Sequence, residues 1–513
     1  MTVHNYDPAL IAVQVDNDEK AFADLRQRHF KARAKMSLEN EQLRGSFLGA
    51  TDFLQAKRRA VFPDTDELEQ LRDRGEAIRQ QSLAQLPDLL ETLEKNLTAN
   101  GIQVHWAETA EQACAQVHSI LAMNNARTVV KGKSMVSEEI ELNHYLEKQG
   151  IECLESDMGE YLVQLAKEMP SHIIMPAIHK TTAQIARLMH TRAERSDGQS
   201  VSYTEDVDEL IGNARAILRD KFASADAGIS GVNMAIANTG TLCLVENEGN
   251  GRMSTTAPPI HIAITGIEKV VADLADVPDL LSLLTRSATG QNISTYFNMI
   301  SSPRRGGELD GPEQVHLVLV DNGRSRMFNH PQLKPTLQCI RCGACMNHCP
   351  VYARIGGHAY GSTYPGPIGQ VVTPQMQGLD KQGELVSACT LNGACGDACP
   401  VRIPLPKLIR ELRHEANSTA PASELDIPGK GSQRHLGEAL IWKGWALAHQ
   451  YGPLYRSITW VLTRGRKLLP HHLGAWTATR TLPVPAKYSL HDLARGAGIG
   501  EQPANRRLNE GEA

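Results

Sequence analysis

Apolar residues recur every three to four positions through much of the first hundred residues. In DEKAFADLRQRHFKARAKM and ELEQLRDRGEAIRQQSLAQLPDLLETLEKNL they are set among charges, the mark of amphipathic helices. Residues 1–100 therefore read as a helical N-terminal region packed on the domain that follows. Beyond Gly101 the pattern changes. Short apolar runs, IQVHWA, TVVKG, IECLES and HIIMPAI, alternate with amphipathic segments such as AEQACAQVHSILAM and SEEIELNHYLEKQ. That alternation predicts a largely parallel sheet, so residues 101–325 are expected to form an α/β domain. Within HIIMPAI, His172 is expected to begin a strand and His179 to end it, at the edge where α/β sheets place ligands. The second half of the domain is richer in strands. NMAIANTGTLCLVENEGNG reads as strand, tight turn at Thr239-Gly240, strand and glycine loop, and HIAITGI and QVHLVLVD are further strands. From 326 to 411 the periodicity is lost, Gly, Pro and Cys concentrate, and GGHAYGSTYPGPIG reads as an irregular connector. Residues 412–513 form a last region, read as a helical tail.

That tail holds four of the five tryptophans, Trp442, Trp445, Trp460 and Trp476. From Ile441 to Leu490 its charged residues are Lys443, Arg456, Arg464, Arg466, Lys467, Arg480 and Lys487, all basic, in a chain of net charge −5. Such a segment suits a membrane surface or a partner protein, or more simply a cover over the preceding domain. The small net charge speaks against nucleic-acid binding driven by overall charge. No apolar stretch is long enough to span a bilayer, and the first residues carry no basic and apolar export pattern. The expected location is cytoplasmic, with peripheral membrane association as an option for the tail. In a reducing compartment the ten cysteines are not expected to pair as disulfides.

Seven of those cysteines lie in two related stretches, CIRCGACMNHCP (339–350) and CTLNGACGDACP (389–400). The first has the spacing C-x2-C-x2-C-x3-C-P. In two-cluster ferredoxin-type folds the first three cysteines hold one cluster and the fourth crosses to the other. Applied here, Cys339, Cys342 and Cys345 join Cys399 around cluster 1, a [4Fe–4S] centre. Cys349 crosses to cluster 2 with Cys389 and Cys395. Structural zinc is the rival, but it favours two ligand pairs across a longer gap and has no preference for Cys-Pro endings. At the fourth-ligand position of cluster 2 stands Asn392. The spacing C-x5-C-x3-C-P resembles the three-iron motif of the iron–sulfur subunits of succinate dehydrogenase and fumarate reductase. Cluster 2 is thus expected to be [3Fe–4S], or [4Fe–4S] with a non-thiolate ligand from Asn392 or elsewhere. Cys114, Cys153 and Cys243 stand apart in apolar contexts and read as buried small side chains.

The α/β domain shows neither G-x-G-x-x-G after a strand nor G-x-x-x-x-G-K-[ST], so nicotinamide, flavin and ATP have no motif support. GKSMVSEE (132–139) offers backbone amides and Lys131 and Lys133 to an anion, although a helix start capped by Ser134 or Ser137 is the simpler reading. NEGNGR (247–252) presents Glu248 and Arg252 to a carboxylated ligand, or is a glycine-rich turn. Asp157, Glu160, Gln164, His172 and His179 are further candidates.

KGKSMVSEEIELNHYLEKQGIE, ESDMGEYLVQLAKEMPSHIIMPAIHK, ANTGTLCLVENEGNGR and CIRCGACMNHCPVY together resemble the lactate-utilisation protein B family of bacterial iron–sulfur proteins. The resemblance covers nearly the whole chain, to PVPAKYSLHDLARG. It implies a lactate-utilisation domain similar in fold to the CoA-transferase and ribose-phosphate-isomerase-like group, followed by an α-helical ferredoxin-like dicluster domain. It also implies an electron-transfer subunit of a system that oxidises L-lactate to pyruvate. The implied partners are a cysteine-rich-repeat protein, a small lactate-utilisation-domain protein and a membrane electron acceptor. Asn392 departs from members with cysteine there. A free-standing CoA-transferase-like enzyme, with Glu246 or Glu248 as its working carboxylate, and an iron–sulfur redox sensor are the alternatives.

Overall fold

The computed structural model describes residues 8–195, 198–418, 427–468 and parts of 470–499; Arg480 and the side chain of Trp476 lie outside the described residues. The chain divides into two units, Met1–Gln433 and Arg434–Ala513.

The first unit is built on a six-stranded parallel sheet. Its strands are β1 (Gln103–Ala107), β2 (Thr128–Lys131), β3 (Glu152–Glu155), β4 (Ala227–Gly231), β7 (Ile260–Gly266) and β10 (Gln314–Val320). They lie in the order β1-β10-β7-β4-β2-β3. Strands β7 and β10 are apolar and buried almost end to end, because helices cover both faces of the sheet. Successive side chains serve opposite faces. Val318 and Val320 of β10 pack with Ala113, Val117 and Leu121 of the helix Ala110–Met123. Val315, Leu317 and Leu319 pack with Leu89, Leu93 and Leu97 of the helix Leu86–Ala99. A second sheet, in the order β8-β5-β6-β9, comprises β5 (Met234–Ile236), β6 (Thr241–Glu246), β8 (Val270–Val271) and β9 (Tyr296–Ile300). Strands β5 and β6 form the expected hairpin, with Gly240 turning at φ +60°.

HIIMPAI is not a strand. Residues 171–179 run as bends and turns. Pro170 precedes the segment and Pro176 interrupts it, and both lack the N–H a ladder needs. His172 folds its ring back instead: Nδ1 accepts the N–H groups of Ile174 and Met175 at 3.0 and 3.1 Å, and Nε2 meets Asn347 Oδ1 at 3.0 Å.

The N-terminal helices do not all serve the α/β domain. Phe47, on the helix Glu41–Val61, is fully buried edge-on against Tyr352 at 5.4 Å between ring centroids. Arg79, on the helix Thr65–Ala84, straps the parts together. It donates to the carbonyls of Glu268 and Val270 on the sheet side, and of Leu337 and Gln338 just before the first cysteine. The connector between the cysteine stretches is more ordered than expected, with a 3-10 turn at His358–Tyr360 and a helix, Gly366–Gln377. The helix Leu405–Asn417 closes the cysteine region by burying Leu405, Leu408, Ile409, Leu412 and Ala416.

In the second unit the helices Leu436–Gln450 and Gly452–Arg464 bury none of their residues. Trp442, Trp445 and Trp460 are exposed, with Arg464 stacked over Trp460 at 4.3 Å. Among the described residues no helix is long and apolar enough to cross a membrane.

Arg324, with no exposed surface, donates to Glu139 at 2.9 Å and to Glu268 at 2.5 Å. Replacing it leaves two carboxylates buried without their cation. Arg324→Met is expected to cost about 3–5 kcal/mol in urea unfolding of the full chain. Adding Glu139→Gln and Glu268→Gln should recover part of that loss.

Candidate functional site

The two cysteine stretches fold into matching loops. In the first, Arg341 takes φ +60° and Gly343 φ +76°; in the second, Leu391 takes φ +58° and Gly393 φ +92°. These left-handed residues flank Cys342 in one loop and Asn392 in the other. A short helix follows each glycine, Ala344–Asn347 and Ala394–Ala398. Backbone N–H groups donate to sulfur in both loops: Arg341 to Cys339 Sγ at 3.4 Å, and Leu391 to Cys389 Sγ at 3.2 Å. The cysteines before proline are served likewise, Cys349 by Tyr352 at 3.4 Å and Cys399 by Ile403 at 3.3 Å.

Cys339, Cys342, Cys345 and Cys399 line one buried hollow, walled by Ile173, Ile340, Ile368 and Leu405 among others. Cys349, Cys389 and Cys395 do not line it, and they act electrostatically on one another. All seven cysteines are free thiols rather than disulfides. Burial pushes the thiols of Cys342 and Cys395 up to about 12 and that of Cys399 to about 11, and raises Cys345 well above the ordinary thiol value. So many sulfurs crowded together, four of them offered backbone N–H donors, fit a site that receives a cationic metal cluster. Basic groups surround the first set. Arg72 donates twice to the Cys399 carbonyl, at 3.1 and 3.0 Å, and Lys269 donates to the Cys339 carbonyl at 3.1 Å. Near the second set, Arg413 donates to the Cys389 carbonyl at 2.6 Å. Cys114, Cys153 and Cys243 are buried elsewhere, as expected.

A second cavity, of about 380 Å³, opens at the carboxyl edge of the parallel sheet. Residues just beyond the strands shape it: Gly132 and Lys133 after β2, Asp157 after β3, Asn233 after β4 and Lys269 after β7. Glu246 and Glu248 line it from the loop after β6, and Arg341 enters it from the first cysteine loop. Ile173 lines both this cavity and the hollow of the four cysteines.

The sequence candidates divide accordingly. Ser134 caps the helix Met135–Glu139, and Lys131 is consumed internally by Glu138 at 3.0 Å and Glu155 at 2.7 Å, so GKSMVSEE is a capped helix start. Gln164 is structural, bridging the backbone of Cys153 and Glu155. Asp157 caps its helix through the N–H of Glu160. Glu160 is buried, and burial drives its pKa well up. Glu246 is not free to act as a nucleophile, because its oxygens accept the N–H groups of Gly251 and Arg252 and the Asn298 amide. Arg252 lies over the Tyr296 ring at 4.3 Å. Glu248 accepts the Met158 N–H at 3.0 Å, and burial followed by the nearby Asp157 raises its pKa. His179 ends a turn rather than a strand. Its Nε2 meets Glu168 at 2.6 Å, Lys180 holds the other Glu168 oxygen at 2.8 Å, and His358 completes this buried group. Sequence reading missed Arg341 and Lys269 at the cavity. Arg341 stood inside the cysteine motif, where only its spacing role was visible; Lys269 carried no local signal.

The comparisons with known proteins agree with this geometry. Residues 90–320 match the LUD domain, 335–403 the 4Fe-4S dicluster domain, and 411–499 the C-terminal model of lactate utilisation protein B. Lactate utilization protein B of Bacillus subtilis is 41% identical over 90% of this chain and 95% of its own. The chain belongs to the lactate utilisation protein B family. The protein of that name from Macrococcus caseolyticus is 40% identical over 91% of this chain and 98% of its own. An uncharacterized electron transport protein of Escherichia coli, YkgF, is 40% identical over 88% of this chain and 94% of its own. A solved duf162 family protein from Deinococcus radiodurans matches 46% of this chain and 98% of its own at 15% identity, with a TM-score of 0.27. All seven cysteines of the two loops fall inside the dicluster match.

Both loop glycines sit in the left-handed region, where a Cβ costs roughly 1–2 kcal/mol. A Cβ on Gly343 would also press on His172, Ile174 and Ile173 at 3.3–3.4 Å, whereas one on Gly393 meets only Asp397 at 4.0 Å. Chemical denaturation is expected to show Gly343→Ala as the more destabilising of the two alanine variants.

Proposed function

We propose that this protein is an iron–sulfur electron-transfer subunit of a multi-protein system that oxidises L-lactate to pyruvate. The observation that carries the reading is the division of seven cysteines into two sets, four around one buried hollow and three beside it. Cys339, Cys342, Cys345 and Cys399 would hold cluster 1, of [4Fe–4S] type. Cys349, Cys389 and Cys395 would hold cluster 2, with Asn392 at the backbone position that Cys342 occupies in the first loop. That favours [3Fe–4S], or [4Fe–4S] with a non-thiolate ligand, at the second site. When bound, such clusters accept and donate single electrons. The chain's own residues hold thiolates in place through backbone N–H donors, exclude water with Ile173, Ile340 and Ile368, and offset negative charge with Arg72, Lys269 and Arg413.

The α/β domain fits the CoA-transferase and ribose-phosphate-isomerase-like group in its covered parallel sheet, and the cysteine region a helical ferredoxin-like dicluster domain. The lactate specificity is taken from the names of the relatives. Its partners in this reading are the cysteine-rich-repeat protein and the small lactate-utilisation-domain protein. The exposed tryptophans and basic residues of 441–490 suit docking to a partner or to the cytoplasmic face of a membrane that holds the final acceptor.

Three measurements test this. Iron and sulfide analysis with EPR should find two clusters, and Cys399→Ser should remove the cluster 1 signal while leaving the other. L-lactate should reduce the clusters in the reconstituted three-protein mixture and not in this protein alone; dye reduction by this chain alone with lactate would overturn the division of labour. Asn392→Cys should convert cluster 2 to an ordinary four-iron centre of lower potential, read by EPR-monitored redox titration.

A further inference from the structure

We propose that the cavity at the carboxyl edge of the sheet binds a small hydroxycarboxylate, gripped at its carboxylate by Arg341 and Lys269 and at its hydroxyl by Asp157 and Glu248. The position is the one where a parallel sheet collects loop residues from several strands around a ligand. At about 380 Å³ the space admits a small acid with several waters.

Charged side chains of both signs line it. On the wall toward the four cysteines stand Lys269, whose ammonium is anchored on the Cys339 carbonyl, and Arg341. Arg341 has hydrogen-bonding capacity left over. Its Nη1 is buried with no hydrogen-bond partner among the described residues, and its Nη2 lies 3.7 Å from Glu268 Oε1, beyond hydrogen-bond reach. Arg324 takes the other oxygen of Glu268 at 2.5 Å, and Oε1 makes no hydrogen bond among the described residues. A buried guanidinium short of acceptors is the ordinary partner of a planar carboxylate, which meets it through two parallel bonds. Asp157 and Glu248 also line the cavity, each with one oxygen engaged by a backbone N–H, at 3.1 and 3.0 Å, and Lys133 lies near Glu248. Those carboxylates accept hydrogen bonds and repel a second negative charge. A ligand with one carboxylate and a neighbouring hydroxyl suits both kinds of group; a dicarboxylate or a neutral amide suits only one.

The site also touches the cysteine set directly. Arg341 donates its N–H to Cys339 Sγ, and Ile173 is a shared wall. Neutralising the Arg341 charge with a bound carboxylate should therefore alter cluster 1. The inference rests on the proposed function for its choice of probe, L-lactate.

The test is equilibrium titration of the full chain, purified with its iron, followed by calorimetry and by the EPR signal of the reduced protein. L-lactate is expected to bind saturably and to shift the cluster 1 signal, while lactamide, which lacks the carboxylate, binds at least tenfold more weakly. Lys269→Gln and Arg341→Gln, each checked for unchanged iron content, are expected to weaken L-lactate at least tenfold. Glu248→Gln should reduce the preference for L-lactate over propionate, which lacks the hydroxyl. Absence of saturable binding, equal affinity for lactamide, or wild-type affinity in an iron-replete Lys269→Gln protein would overturn the site. Cluster reduction in the three-protein mixture without binding here would sink this inference and leave the electron-transfer role standing. Binding here with no cluster reduction in the mixture would do the reverse.

Discussion

The fold is organised around one buried ion network. Arg324, just past the end of β10, bridges Glu139 of the helix after β2 and Glu268 of the turn after β7. Burial alone would raise both carboxylate pKa values. Arg324 outweighs it at Glu139, and Arg324 with Lys269 and Arg341 holds Glu268 down at about 2. The network then leaves the sheet. Tyr364, from the connector between the cysteine loops, donates to Glu139 at 2.7 Å, and Arg341 stacks on the Tyr364 ring at 4.2 Å. Charges this deep tolerate little displacement, because a carboxylate or guanidinium parted from its partner meets no water. The network therefore fixes where the cysteine loops stand against the sheet. Gly266 shows how tight the arrangement is: a Cβ there would fall 2.1 Å from Glu268 and 2.2 Å from Arg324.

On that frame the two cysteine loops are variations of one backbone. Each needs a non-glycine residue at positive φ two positions after its first cysteine, then a glycine at positive φ two positions later. This path aims N–H groups at sulfur; it sets Cys342 into the hollow, whereas Asn392 at the matching position is exposed. Asn392 keeps the path and changes the chemistry. The second loop thus keeps the backbone path of the first with Asn392 where the first has Cys342.

Electrostatics link the α/β domain to the cysteines. Arg341 belongs to a cysteine loop by sequence and to the sheet-edge cavity by position. Lys269 belongs to the sheet and reaches the Cys339 carbonyl. Burial pulls the Lys269 pKa down to about 8, against the pull of Glu268, so its charge depends closely on what surrounds it. A domain that merely carried the cysteines would not need basic side chains shared between the two regions.

Much of this was legible in the sequence. Strands β1, β2, β3, β7 and β10 and the β5–β6 hairpin follow from short apolar runs and their punctuation, because a strand covered on both faces must be apolar throughout. The N-terminal helices follow from spacing, and the cysteine loops from a motif whose geometry is local. HIIMPAI misled because its apolar run is filled by a turn, which two prolines and the His172 side chain stabilise against pairing. Lys131 and Glu246 looked available because sequence does not show the Glu155 carboxylate or the Gly251 and Arg252 amides that occupy them. By itself, then, the sequence determined most local conformations and the spacing of the seven cysteines, since these depend on neighbours a few residues apart. Only the tertiary structure decided which polar side chains are spent and which face the cavity, because their partners lie scores to hundreds of residues away.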